Sequence, residues 1–162
     1  MDFNEMRNRS QKPENRWQGV LLSLDPGHTT GYALWCCSED KVTLMEAGQL
    51  ITWEKADLRM EDFVKLINAV KIKHAVFETY QVYEWKSADH SWSQVPTIQV
   101  IGATKILCQQ KDITYSSQTA QVAKQFCTDD KLERWGFYKQ GMRHARDAIR
   151  HGCYYILFGN RK

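Results

Sequence analysis

The chain has no cysteine pair spaced as C-x-x-C, and its five cysteines, Cys36, Cys37, Cys108, Cys127 and Cys153, are odd in number. This pattern argues against a zinc ribbon and against a disulfide frame, so reduced and mostly buried thiols are expected. No apolar run approaches the ~18 residues of a bilayer span, and "MDFNEMRNRSQKPENRW" lacks the apolar core of a signal peptide. A cytoplasmic protein without membrane association is the expectation. Internal repeats and low-complexity tracts are also missing. Neither sign of charge dominates: 22 basic and 19 acidic residues give a net charge of +3. That is a slight lean toward a polyanionic partner and decides nothing alone.

What is present is ordinary globular material. A chain of 162 residues, 43% hydrophobic and 25% charged, suffices for one domain with a real core and falls short of two full lobes. Residues 1–17 are polar and charged without periodicity, so a flexible N-terminal tail is expected ahead of a domain spanning 18–162. "GVLLSLD", "TGYALWCC" and "KVTLMEAGQLI" have the apolar content and short turns of a three-stranded antiparallel meander. "EKADLRMEDFVKLINAVKIK" places Leu58, Phe63, Leu66, Ile67 and Val70 at helical spacing. "HAVFETYQVY" is a fourth strand, followed by the polar, aromatic-studded loop "EWKSADHSWSQ". "VPTIQVIGATKILCQQ" is a helix in which Gly102 suggests close packing, and "ITYSS" is a fifth strand. "QTAQVAKQFC" is helical, "TDDKLERWGFYKQGM" irregular, and "RHARDAIRHGCYYILFG" the last helix. The order β-β-β-α-β-α-β-α-α predicts an α/β domain with a mixed five-stranded sheet flanked by helices.

Three carboxylates stand where solvation alone does not account for them. Asp25 closes the apolar run of "LLSLDPGHTTGYAL" and is followed at once by the Pro26-Gly27 turn. A lone buried carboxylate is expensive, so something must compensate it. Glu78 shares a strand face with Val76 and Tyr80. His144 and Asp147 stand i,i+3 on one face of the last helix, with His151 one turn further. Taken singly, each acid is an ordinary paired carboxylate, Asp147 with Arg143 or Arg150 for example. Taken as a set, three oxygen donors and an imidazole suit Mg²⁺ or Mn²⁺.

"LSLDPGHTTGYAL", "AVFETY" and "HARDAIRH", in that order, resemble the RuvC-type Holliday junction resolvases of the RNase H-like superfamily, closest to the short forms carried by bacteriophages. The three blocks span residues 21 to about 158, nearly the whole chain. The resemblance implies an RNase H-like fold and a crossover junction endodeoxyribonuclease that resolves branched DNA by paired symmetric nicks. It implies a homodimer, and two Mg²⁺ or Mn²⁺ ions per site held by Asp25, Glu78, His144 and Asp147 as the catalytic set. Lys124 resembles the family's lysine on the helix before the catalytic one. Tyr80 and Tyr83 stand where the family carries an aromatic that stacks on an unpaired base. Arg143, Arg146 and Arg150, with Lys131, Arg134 and Lys139, form a basic stretch suited to phosphates, although Asp129, Asp130 and Glu133 interleave. A debranching or flap nuclease, or a YqgF-like RNA-processing nuclease, carries the same site, so the motifs leave the substrate open among these. A two-lobed ATPase of the actin type, which shares the strand-Asp-x-Gly start, needs more chain than is present.

Overall fold

The computed structural model describes residues 1–80 and 95–159. Strands β1 (Gly19–Asp25), β2 (Thr29–Cys37) and β3 (Val42–Ile51) form the expected antiparallel meander. A small hairpin follows, β4 (Trp53–Glu54) with β5 (Asp57–Leu58), then helix α2 (Glu61–Ala69). Strand β6 (His74–Glu78) joins β1 in parallel. Helix α3 (Pro96–Gln110) leads to β7 (Thr114–Gln118), which joins β6 in parallel. The five-stranded sheet is therefore mixed, in the order β3-β2-β1-β6-β7. Helices α4 (Ala120–Phe126), α5 (Asp129–Arg134) and α6 (Arg143–Tyr154) follow, and a π-helical turn (Tyr155–Gly159) completes the described chain.

Strand β1 is central, which is why its sequence is a nearly unbroken apolar run rather than an alternation. Its two faces feed two cores. Leu22 and Leu24 pack with Phe63, Ile67, Phe77 and Cys108 against α2 and α3. Leu21 packs with Trp35, Val76, Ile149 and Ile156 against α6. Period-2 alternation then decides where the acids go. Asp25 has the parity of Leu21, and Glu78 that of Val76, so both belong to the α6 face.

The first seventeen residues differ from expectation. They are a packed part of the domain and not a flexible tail. Helix α1 (Phe3–Ser10) begins with a capping box: Asp2 Oδ1 accepts from the Glu5 backbone at 2.8 Å, and the Asp2 N–H donates to Glu5 Oε2 at 2.9 Å. Phe3 is buried edge-on to Trp135 and Phe137, at centroid distances of 5.1 and 5.4 Å. Arg7 is fully buried and donates to the carbonyls of Trp17 (3.0 Å) and Ser38 (2.9 Å). Burial pushes its pKa below the ordinary value, and it is held by backbone carbonyls, without a carboxylate at bonding distance among the described residues. Replacing Arg7 by Met should cost roughly 2–3 kcal/mol, since two buried carbonyls lose a charged donor. Urea titration of the full chain checks this, and an unchanged midpoint would restore the tail.

Three further expectations change. The helix expected from Glu54 starts only at Glu61, because Lys55 and Ala56 adopt left-handed φ of 53° and 59° and close the β4–β5 hairpin, so Leu58 belongs to a strand. The segment expected to be irregular contains α5, seated by the buried Leu132. Gly102 is not a packing point: a Cβ there meets no atom within 4 Å among the described residues. The cysteines are unpaired, with Cys36 exposed and the other four buried. Among the described residues no helix is long and apolar enough to cross a membrane.

Candidate active site

Three neighbouring parallel strands end together. Leu24 is paired with Phe77, so Asp25 and Glu78 lie side by side one step beyond, and Glu78 is paired with Gln118 of β7. The region beyond the carboxyl ends of parallel strands is where open α/β sheets take ligands. The turn after Asp25 is stapled in place. Thr52 Oγ1 donates to the Gly27 carbonyl at 2.7 Å and lies 2.7 Å from Thr30 Oγ1, while the Thr52 N–H donates to His28 O at 2.9 Å.

Helix α6 crosses this end of the sheet, and two glycines let it approach. A Cβ on Gly31 of β2 would overlap the His144 carbonyl and stand 2.7 Å from the Ala145 nitrogen. A Cβ on Gly152 of α6 would overlap the Trp35 indole nitrogen and stand 2.7 Å from Ser23 Oγ. The start of α6 is held from β3, since Gln49 Oε1 accepts from the His144 backbone at 3.0 Å. Thus the close approach of helix to strand carries His144, Asp147 and His151 over the strand acids.

All four residues expected at the site meet at this end of the sheet. His144 Nδ1 donates to Asp25 Oδ2 at 2.7 Å. Glu78 Oε2 lies 3.4 Å from His151 Nε2, and the other ring nitrogen of this fully buried histidine lies 3.4 Å from Gln118 Oε1. Asp147 pairs with Arg150 through Oδ1 and with Lys124 Nζ through Oδ2, the latter at 3.2 Å. They do not close into a cage: among the described residues no group of three or more His, Cys, Asp or Glu side chains is arranged to hold a metal ion. Each acid instead leans on a cationic or polar partner of the protein.

The electrostatics show what the site still wants. Burial raises the Asp25 carboxyl above its ordinary range, and the nearby charges of Asp147 and Glu78 raise it further, outweighing the His144 bond. Burial also pushes Glu78 upward, but bonding to His151, the charge of Lys124 and a bond from Asp25 bring it net below its ordinary value. At Asp25 the neighbouring carboxylates thus leave negative potential that the His144 bond does not offset, whereas Glu78 is compensated by its own partners. Hard oxygen donors in such surroundings fit a divalent cation.

Around this centre the other expected residues divide. Lys124, Arg143, Arg146 and Arg150 line, with Asp147, a hollow of about 290 Å³. Arg143 has no bonded partner among the described residues, whereas Arg150 is committed to Asp147, Asp129 and the Cys127 carbonyl. Arg146 donates to Lys139 O at 2.9 Å and lies over the Tyr138 ring. Lys131 is spent on the end of α4, donating to Phe126 O at 2.6 Å. Tyr80 lines a second hollow of about 300 Å³ together with Glu78, Phe77, Ile98, Ile101 and Lys105. Tyr83 lies outside the described residues. Gln49, Gln118 and Thr52 were invisible as site residues in the sequence, because only tertiary contacts bring them there. Gly31 was legible only as part of a turn.

No family model and no curated protein matches the sequence. Solved structures do. The chain superposes on T. thermophilus RuvC in complex with a Holliday junction substrate, with a TM-score of 0.67 at 11% identity, over 87% of this chain and 95% of that one. It superposes also on the fowlpox virus Holliday junction resolvase, with a TM-score of 0.57 at 11% identity, over 85% of this chain and 97% of that one. The chain therefore shares the fold of these two structures over almost the full length of both.

Proposed function

We propose that this protein is a divalent-metal-dependent endonuclease that resolves branched DNA, four-way junctions foremost, by paired symmetric nicks. One observation carries it: Asp25, Glu78, His144 and Asp147, from two adjacent strand ends and the helix crossing them, lie at the same end of the sheet in a fold shared with junction resolvases. In this reading Asp25, Glu78 and Asp147 supply carboxylate oxygens, and His144 a nitrogen, to two Mg²⁺ or Mn²⁺ ions. Such ions, when bound, lower the pKa of an attacking water and stabilise the leaving oxygen of a phosphodiester. The protein's own residues do the rest. His151, fixed by Gln118, orients Glu78; Gln49 and Gly31 set the depth of His144; Arg143 and Arg146 meet the strand's phosphates. Tyr80, lining its hollow beside Glu78, offers a ring to an unpaired base, and base stacking of this kind is worth ~1–3 kcal/mol.

A four-way junction has two-fold character, and two symmetric cuts ask for two symmetric sites, so the working unit is a homodimer. Helix α3 supports this reading by exposing Ile98 and Ile106 along one side, 48% and 57% accessible. Replacing both with Glu should convert the dimer to monomer in size-exclusion chromatography with light scattering. The double variant should make single unpaired nicks where the parent makes pairs. A parent that is already monomeric would remove the dimer from the proposal.

The test of the function itself is a gel assay with Mg²⁺ or Mn²⁺, and with chelator as control. Four-way junction, fork, flap, linear duplex and structured RNA are compared. Paired nicks in the junction, lost with chelator, are expected. Equal cutting of forks and flaps would make the protein a general debranching nuclease. Cleavage of RNA alone would move it to RNA processing, and no cleavage of any substrate would end the proposal.

A further inference from the structure

Asp147 carries two protein cations, and they are held very differently. Arg150 grips Oδ1 from a buried position, its side chain 13% exposed. Its Nε donates to the Cys127 carbonyl at 2.9 Å and its other terminal nitrogen to Asp129. One guanidinium is thereby anchored to the end of α4, the first residue of α5 and the middle of α6. Lys124 touches the other oxygen, Oδ2, at 3.2 Å, from a side chain 41% exposed and without another partner among the described residues. Its charge also acts on Glu78. A single contact from a partly exposed lysine is more easily exchanged than a multiply bonded, largely buried arginine, which is costly to dislodge.

We propose that Lys124 is a placeholder cation, occupying the Oδ2 side of Asp147 until a divalent ion takes it, and that Arg150 with Asp129 is the fixed clamp that aims this oxygen. The inference rests on the metal-dependent reading above and assigns Arg150 a positioning role in place of the phosphate contact expected from the sequence. Two consequences follow. Asp147 presents a single oxygen to the ion, since Oδ1 stays with Arg150. Lys124, once displaced, stands at the rim of the hollow it shares with Arg143 and Arg146, with all three N–H groups free for a phosphate. Metal occupancy and phosphate binding are then coupled through one side chain.

Calorimetric titration of Mn²⁺ into the full-length protein without DNA tests this on the parent, Lys124→Met, Arg150→Lys, Asp129→Asn and Arg143→Met. Charge alone predicts gains for both Lys124→Met and Arg143→Met and no change for Arg150→Lys, which keeps its charge. The proposal predicts otherwise. Lys124→Met should bind Mn²⁺ several-fold tighter than the parent and clearly tighter than Arg143→Met. Arg150→Lys should bind about tenfold more weakly, the usual cost of losing a residue that orients a ligand. Asp129→Asn, at an exposed position, reads the same clamp and should shift in the same direction if Arg150→Lys does not fold. Parent binding with Lys124→Met no tighter than Arg143→Met, or with both clamp variants unchanged, overturns this inference alone. A parent that takes up no Mn²⁺ overturns the metal-dependent function and this inference with it.

Discussion

Asp25→Asn is expected to reduce junction cleavage by at least about 10³-fold, equivalent to about 4 kcal/mol of transition-state stabilisation, and to raise the stability of the metal-free protein. The two effects have one cause. Asp25 is buried, and its carboxyl is pushed above the ordinary range by that burial and by Asp147 and Glu78, so its charged form is disfavoured in the folded state. The group therefore stabilises the fold most when protonated. That contribution is present below the unfolded pKa of about 4 and is lost as pH rises through the higher folded value. Asn does not titrate and still accepts the His144 bond. In chelator, the variant should thus match the parent at low pH and melt progressively higher as pH rises to neutrality. For a chain of this size a gain of 2–4 °C would correspond to about 1 kcal/mol. Added Mn²⁺ should reverse the order, stabilising the parent by mass action and leaving the variant behind. Melting curves across pH, with and without Mn²⁺, measure all of this. A variant that cleaves like the parent would remove Asp25 from the site, and one that melts lower at neutral pH would make it a structural acid.

The sheet and the site's strand acids were legible in the sequence because both depend on local regularities. A central strand buried on both faces leaves a continuous apolar run, as in "VLLSL", and period-2 parity carries Asp25 and Glu78 to one face without any tertiary knowledge. The i,i+3 step from His144 to Asp147 is equally local. The N-terminal helix was legible too, in the Asp2-Phe3-Asn4-Glu5 capping pattern, yet its short polar sequence obscured it. Its stability comes from Phe3 and Arg7 meeting residues far along the chain. What could not be read were the pairings made at a distance: Gln49 with His144, Gln118 with His151, Arg150 with Asp129. Nothing in residue type distinguishes a glutamine that caps a remote helix from one on the surface. The same holds for Asp129, whose place among interleaved charges suggested solvent and whose actual partner is the arginine clamping Asp147.

Gly31→Ala should cost the proposed cleavage about 10²-fold in rate while leaving most of the fold in place. Gly31 pairs with Asp25 across β1 and β2, and the space of its missing Cβ is filled by the His144 backbone. A methyl group there collides with backbone rather than with a flexible side-chain end, so α6 itself must move away. Helix α6 is seated a second time at Gly152 on Trp35 and Ser23, and its core residues Ala148, Ile149 and Cys153 are fully buried. The relief is therefore a tilt that lifts the first turn, and that turn carries His144 with Asp147 just behind it. A shift of about 1 Å in reacting groups is enough for a loss on the order of 10²-fold. Gly102→Ala supplies the control. Its Cβ meets nothing among the described residues, and removing glycine from a helix interior should stabilise the chain by about 0.5–1 kcal/mol, so it reports what an added methyl group does where nothing stands in its way. Single-turnover cleavage and thermal melting on both variants separate the outcomes. If Gly31→Ala melts far lower and loses all activity, the glycine serves the fold as a whole. If it cleaves at the parent rate, the depth of α6 over Asp25 does not set the chemistry. Loss of rate at near-parent stability, with Mn²⁺ bound more weakly, is the result expected of a glycine that places a helix over a metal site.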